Sequence, residues 1–422
     1  MTPPPLLTFS STFFILGNHP LLARAEIERA VVALGGTWKT DAAGGSVLLG
    51  ALSGIEHTAL LSRLGGTIKV GRVLYTELLS GRSRLSAIRD LLTPDRVIPW
   101  LASTDARVEF GMSLYALTGS APFRLTKQLT PVGMTIREAL KSQGKRARWV
   151  TSRDASALSS VVVSKNRLLE RGGEVCVLFD DQRLWVGMTD AVQDFEAYAH
   201  RDYDRPRRDA KSGMLPPKVA QMLINLSGLT TNHLLLDPFC GSGTILAEAA
   251  RMGFEHLAGS DISTQAVADT RENIYWLIRT SHLPAPVINL QISDVRKVTE
   301  KFSANSVDGI VTEPYLGPPL RGRERPEQLQ KNFDVIQRLY DDTVHVVSGL
   351  LRPGGVLVMV LPKVVTSPKT YCVSLQVWEA AGFQPVSLPG MSVRKTFEYG
   401  RKDQYVHREI GVWRRVASRA TI

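Results

Sequence analysis

At 422 residues the chain is too long for one hydrophobic core, which sets two or three domains as the expectation. Hydrophobic residues at 44% and charged residues at 22% exclude a disordered or fibrous chain, and no apolar run approaches the roughly 20 residues that cross a bilayer. A net charge of +11, shared by both halves, points to a polyanionic partner, nucleic acid before membrane, with plain solubility as the competing explanation.

In chain order, "TFFILG" is too short for a signal-peptide core and has no basic residue before it, so it reads as a first strand. Residues 1–78 alternate short apolar runs ("STFFILG", "GGSVLLGAL", "GGTIKVGRVLY") with the helical spacing of "LLARAEIERAVVALGG", a small α+β module. A second unit, 79–195, holds a helix at "TIREALKSQG" ended by Gly144. A long helix, "DASALSSVVVSKNRLLERGG", follows, with Asp154 as N-cap and a stop at Gly172–Gly173. "EVCVLF" and "RLWVGM" flank Asp180–Asp181 as a hairpin. Residues 196–213 are polar, charged and Pro-containing, and read as a linker. From 214 to 422, "HLLLDPF", "TILAEAARMG", "HLAGSDI", "STQAVADTRENIYWLI", "VDGIVTEP" and "GVLVMVLP" alternate strand and helix. That rhythm predicts an α/β domain with a parallel, doubly wound sheet. Cys176, Cys240 and Cys372 are sparse and lack metal-type spacing, which predicts a reducing, cytoplasmic setting, no disulfide framework and no metal.

The chemistry concentrates in "LLLDPFCGSGT", residues 234–244: a buried-type strand, a glycine turn and an amphipathic helix. Gly241 and Gly243 let backbone approach a ligand, and the helix N-terminus suits an anionic group. Cys240 reads as a small filler, not a nucleophile. A second acid, Asp261 in "LAGSDIS", follows at the spacing where a carboxylate meets a ribose diol. A dinucleotide and S-adenosylmethionine both fit. A third strand-end acid, Asp294 in "LQISDVRKV", favours the latter because it can accept from an adenine amino group. "VDGIVTEPYLGPPL", residues 307–320, then sets Glu313 at a proline-stiffened strand tip.

"DPFCGSGT", "GSDIS", "SDVRKV" and "TEPYLG", in this order, resemble the amino-methyltransferases that use S-adenosylmethionine. More narrowly, the chain resembles the THUMP-domain tRNA guanine-N2 methyltransferases that act on the guanosine at tRNA position ten. "RPRRDAKSGMLPPKVAQMLINLSGL" is similar to their lead-in helix. "FFILGNHPLLARAEIERAV" and "GGTIKVGR" are similar to their ferredoxin-like domain, and "ASALSSVVVSKNRLLERGGEVCVLF" falls where their THUMP domain lies.

The resemblance implies a Rossmann-like class I methyltransferase domain at 214–422, C-terminal to a ferredoxin-like (1–78) plus THUMP (79–195) RNA-binding module. In the cofactor site it implies Asp237, Phe239, Gly241, Gly243 and Thr244 at the loop, Asp261 and Ile262 at the ribose, and Asp294 and Val295 at the adenine. Glu313 would hold the catalytic acid's place, with Pro314 and Tyr315 beside it. The usual Asp-Pro-Pro-Tyr is here Glu-Pro-Tyr-Leu. That departure keeps an adenine N6 or cytosine N4, in rRNA or DNA, as the alternative target, and a non-catalytic RNA-binding scaffold as the alternative role. The implied partner is tRNA, with room left for a small activating protein. For RNA contact the candidates are Lys145, Arg146, Arg148 and Trp149 in "GKRARWVTSR", and Arg321 and Arg323 in "RGRER"; a solvated surface is the competing reading for both.

Overall fold

The structure, a computed structural model, describes residues 10–101, 107–121, 123–152, 156–208, 214–366, 369–401 and 404–416. It contains two compact units. One consists mostly of residues up to Phe195; the other runs from Glu196 onward and includes Ala25–Ala33 and Arg63–Gly65.

The first unit is built on one eight-stranded sheet. Its strands are β1 (Ser10–Leu16), β2 (Thr37–Gly44), β3 (Val47–Ser53), β4 (Thr67–Leu78), β5 (Arg107–Ala116), β6 (Arg146–Val150), β7 (Gly172–Phe179) and β8 (Arg183–Val192). Their order is β2-β3-β1-β4-β8-β7-β5-β6. The boundary expected at 78/79 does not interrupt this sheet: β4 pairs with β8 from Lys69↔Val192 to Leu78↔Arg183. The free edge of β4 is satisfied by the hairpin strand, as paired backbone requires. The hairpin at Asp180–Asp181 is present, Asp180 accepting the amides of Gln182 and Arg183.

The helix Phe123–Ser142 lays Leu129, Ile136 and Leu140 into a core with Phe110, Val175 and Val186, and Gly144 follows it at φ 79°. The expected single long helix is instead two short ones, Ser160–Lys165 and Leu168–Arg171. Ser159 is the N-cap, and Asn166 and left-handed Arg167 make the break. The Asn166 side chain donates back to the Val162 carbonyl, a local bond that competes with helix propagation. Asp154, the expected cap, lies outside the described residues. Buried Lys69 and Glu174 meet at 2.5 Å, and the Ser113 and Thr189 hydroxyls also donate to Glu174.

The second unit carries a nine-stranded sheet: β9 (Leu234–Asp237), β10 (His256–Asp261), β11 (Val287–Ile292), β12 (Val307–Thr312), β13 (Leu351–Val365), β14 (Thr370–Cys372), β15 (Phe383–Pro385), β16 (Thr396–Tyr399) and β17 (Val406–Arg415). The order is β11-β10-β9-β12-β13-β17-β15, with β14 on β13 and β16 on β17. The first five strands in that order are mutually parallel; β17 and β15 run antiparallel. The helix Pro326–Leu350 buries Ile336, Tyr340, Val344 and Val347 against the sheet. The strand order switches at β9, with β10 on one side of it and β12 on the other, and a ligand crevice is expected at the carboxyl ends there.

Residues 196–213 are not wholly a linker. A helix spans Phe195–Tyr203, from which Arg201 donates to buried Glu248 at 2.7 Å; just past it, Arg205 donates to the Thr244 hydroxyl at 2.7 Å. Among the described residues no helix is long and apolar enough to cross a membrane.

Candidate functional site

Four parallel strands of the second unit each deliver an acid at or just past the carboxyl end: Asp237, Asp261, Asp294 and Glu313. All four line one cavity of about 1100 Å³. Asp237 is buried, and its Oδ1 accepts the Phe239 amide (3.1 Å) and the Thr312 hydroxyl (2.7 Å). Burial pushes this carboxyl up to about 7, against the pull of those two donors.

The glycine turn is held from two sides. Asp261 Oδ2 accepts the Gly241 amide at 3.1 Å, while its Oδ1 accepts from Ser263 N at 2.9 Å. On the other side, Thr270 donates to the Gly241 carbonyl and Asn273 to that of Ser242, both from the helix Thr264–Thr280. Gly241 sits at φ 51° with no atom near where a Cβ would point, so its backbone conformation calls for glycine and its face stays open. At Gly243, φ 84°, a Cβ would meet Thr270 at about 3 Å; here the close neighbour is the protein's own helix, not a ligand.

Glu313 does not stand alone. Arg408 of β17 donates Nε to its Oε1 at 2.6 Å and Nη2 to its Oε2 at 3.2 Å, with both side chains largely buried. Beside them Pro314 is buried and Tyr315 is half exposed at the cavity mouth.

The RMKL-like methyltransferase domain model of family UPF0020 matches residues 205–392. A tRNA (guanine(10)-N2)-dimethyltransferase of Methanothermobacter thermautotrophicus is 36% identical over 151 residues, 36% of this chain and 39% of the relative. A probable tRNA (guanine(10)-N2)-dimethyltransferase of Methanothermococcus thermolithotrophicus is 34% identical over 122 residues, 29% of this chain and 74% of the relative. The chain belongs to this methyltransferase family. Across almost its full length it shares a fold with TrmN from Thermus thermophilus, at a TM-score of 0.56 and 18% identity, covering 96% of this chain and 100% of that one.

For this family member, the residues at the cavity fit S-adenosylmethionine. Each Asp261 oxygen has one backbone donor and keeps a lone pair for a ribose hydroxyl. The helix Thr244–Arg251 opens its N-terminus onto the cavity through Thr244 and Ile245. Phe239, Ile262 and Val295 line the same space, and Ile262 is exposed there, apolar contacts suited to a ring. Asp294 caps the turn Val295–Glu300 and is drawn below its usual range, first by the Arg296 side chain, so an adenine amino group would share it with that arginine. Among the described residues no group of His, Cys, Asp or Glu is placed to hold a metal.

The expected RNA contacts divide. Lys145, Arg146 and Arg148 belong to the first unit, and Arg146 and Arg148 are exposed on β6, Arg148 lying 3.7 Å from buried Glu109. Trp149 is half-buried: its ring packs on Phe110 at 5.1 Å and over Gly133, where a Cβ would collide with it, against the core of the first unit. Arg321 and Arg323 are exposed just past the Glu313 loop, their amides held by the Glu324 carboxylate. Sequence reasoning missed Arg408 and Thr312. Thr312 was findable as the residue before the acid, whereas Arg408 carries only the weak signal of a charge in an alternating strand.

Proposed function

We propose that this chain transfers a methyl group from S-adenosylmethionine to the exocyclic N2 of a guanosine in tRNA, at position ten as in its relatives' names. The observation that carries the proposal is the single cavity into which the glycine turn, Asp261 and the Glu313–Arg408 pair all open. When bound, the sulfonium supplies an electrophilic methyl. Glu313 accepts an N–H of the amino group, which fixes the nitrogen in line and returns some lone-pair character to it. The bound sulfonium would give up its methyl to that nitrogen and keep the S–C electrons, and Glu313 or water would take the surplus amino proton. Proximity and orientation supply most of the acceleration.

The base must leave its stack to enter the cavity, and half-exposed Tyr315 at the mouth is placed to pack against it. The first unit, read as ferredoxin-like plus THUMP, would grip tRNA through its basic surface, Arg146 and Arg148 included. The experiment is Glu313→Ala: methyl transfer to tRNA is lost while cofactor binding by calorimetry is kept. Near wild-type transfer would refute the role given to Glu313.

A further inference from the structure

We propose that Arg408 is a specificity-determining residue, and that the Glu313–Arg408 pair selects guanine by reading the donor and acceptor order of its Watson–Crick edge. The inference rests on the methyl-transfer reading above and adds to it how the base is chosen.

Arg408 comes from the antiparallel return strand β17, opposite Pro362 of β13 and Tyr399 of β16, and reaches across to the tip of β12. The fork to Glu313 uses Nε and Nη2 and leaves Nη1 outside it. Each Glu313 oxygen likewise keeps a second lone pair. Burial works against the guanidinium's charge, and the adjacent Glu313 more than offsets it, so Arg408 keeps its charge. The cavity therefore presents, side by side, an acceptor group and a fixed donor.

A lone carboxylate cannot tell amino groups apart, since adenine, cytosine and guanine all offer N–H. The neighbouring atoms differ. Guanine sets N1–H, a second donor, next to its N2 amino group, and then O6, an acceptor. In adenine and cytosine the amino group adjoins a ring nitrogen with a lone pair, which would face the carboxylate lone pair to lone pair. Glu313 followed by Arg408 matches guanine alone: the carboxylate takes N2–H and N1–H, and the guanidinium donates to O6. A site with buried groups of fixed polarity rejects a ligand that leaves them unpaired.

The test compares tRNAs that carry guanosine, 2-aminopurine riboside or inosine at the nucleotide the enzyme methylates. 2-Aminopurine keeps the amino nucleophile and lacks N1–H and O6; inosine keeps N1–H and O6 and lacks the nucleophile. The full-length protein is expected to favour guanosine over 2-aminopurine by at least about 100-fold in kcat/KM. Arg408→Gln should narrow that ratio at least about tenfold, with Arg408→Lys falling between. Independently of any variant, inosine tRNA should compete for the wild-type protein more strongly than 2-aminopurine tRNA. An unchanged ratio in Arg408→Gln, or equal competition by the two analogues, overturns the proposal while N2-methylguanosine formation still stands. Methylation of adenosine or cytidine in place of guanosine would overturn both readings together.

Discussion

The carboxylate of Asp261 accepts the amide hydrogen of Gly241 at 3.1 Å, tying the end of β10 to the glycine turn that follows β9. The acid that would hold the ribose thus also fixes the loop over which the cofactor lies. Asp261→Ala removes both functions at once. Cofactor affinity should fall by about 10- to 100-fold, about 1.4–2.8 kcal/mol, in calorimetric titration. An affinity within twofold of wild type would show that neither contact matters.

Asp237 gives a pH-dependent prediction. Its carboxyl is pushed from its ordinary 3.8 to about 7 by burial, so the folded chain binds a proton there that the unfolded chain has released. This contribution is fully present below 3.8 and is lost as pH rises through about 7. Asp237→Asn keeps an acceptor for Thr312 and Phe239 and cannot ionise. Its stability relative to wild type, from urea unfolding, should therefore be greater at pH 8 than at pH 4. Parallel curves would contradict the assignment.

Lys69 and Glu174 form a buried pair whose net worth is small but whose breakage is costly. Lys69→Met leaves the Glu174 carboxylate buried without its counter-ion, and the first unit should lose about 3–5 kcal/mol in denaturant unfolding. A loss below about 1 kcal/mol would mean that Ser113 and Thr189 alone satisfy Glu174.

Cys240 lies in the glycine turn and is buried, and burial pushes its thiol well above the usual range. It should resist iodoacetamide at pH 8, while partly exposed Cys372 is alkylated first; peptide mass mapping reads the order. Modification of Cys240 ahead of Cys372 would show the turn to be open.

Much of the second unit was legible in the sequence because its signals are local. Asp237, Asp261 and Asp294 each end an apolar run, and the period of strand and helix announces the parallel sheet. Arg408 was not legible, since its partner lies 95 residues away and only the antiparallel return of β17 brings them together. In the first unit, Trp149 has basic neighbours in sequence, and only the fold shows that its ring packs on apolar Phe110. The helix expected over 154–173 failed on a competition that composition hides, Asn166 bonding to its own preceding turn. The charges of Arg201 and Arg205 suggested solvent, yet Arg201 bonds to Glu248 and Arg205 to the Thr244 hydroxyl inside the second unit.

Incubating the protein with labelled S-adenosylmethionine and an unmodified tRNA transcript, then digesting to nucleosides for mass spectrometry, tests the central claim most directly. Label is expected in N2-methylguanosine, mapping to one nucleotide and vanishing with Glu313→Ala. Label in N6-methyladenosine or N4-methylcytidine, or none with the native chain, would contradict it.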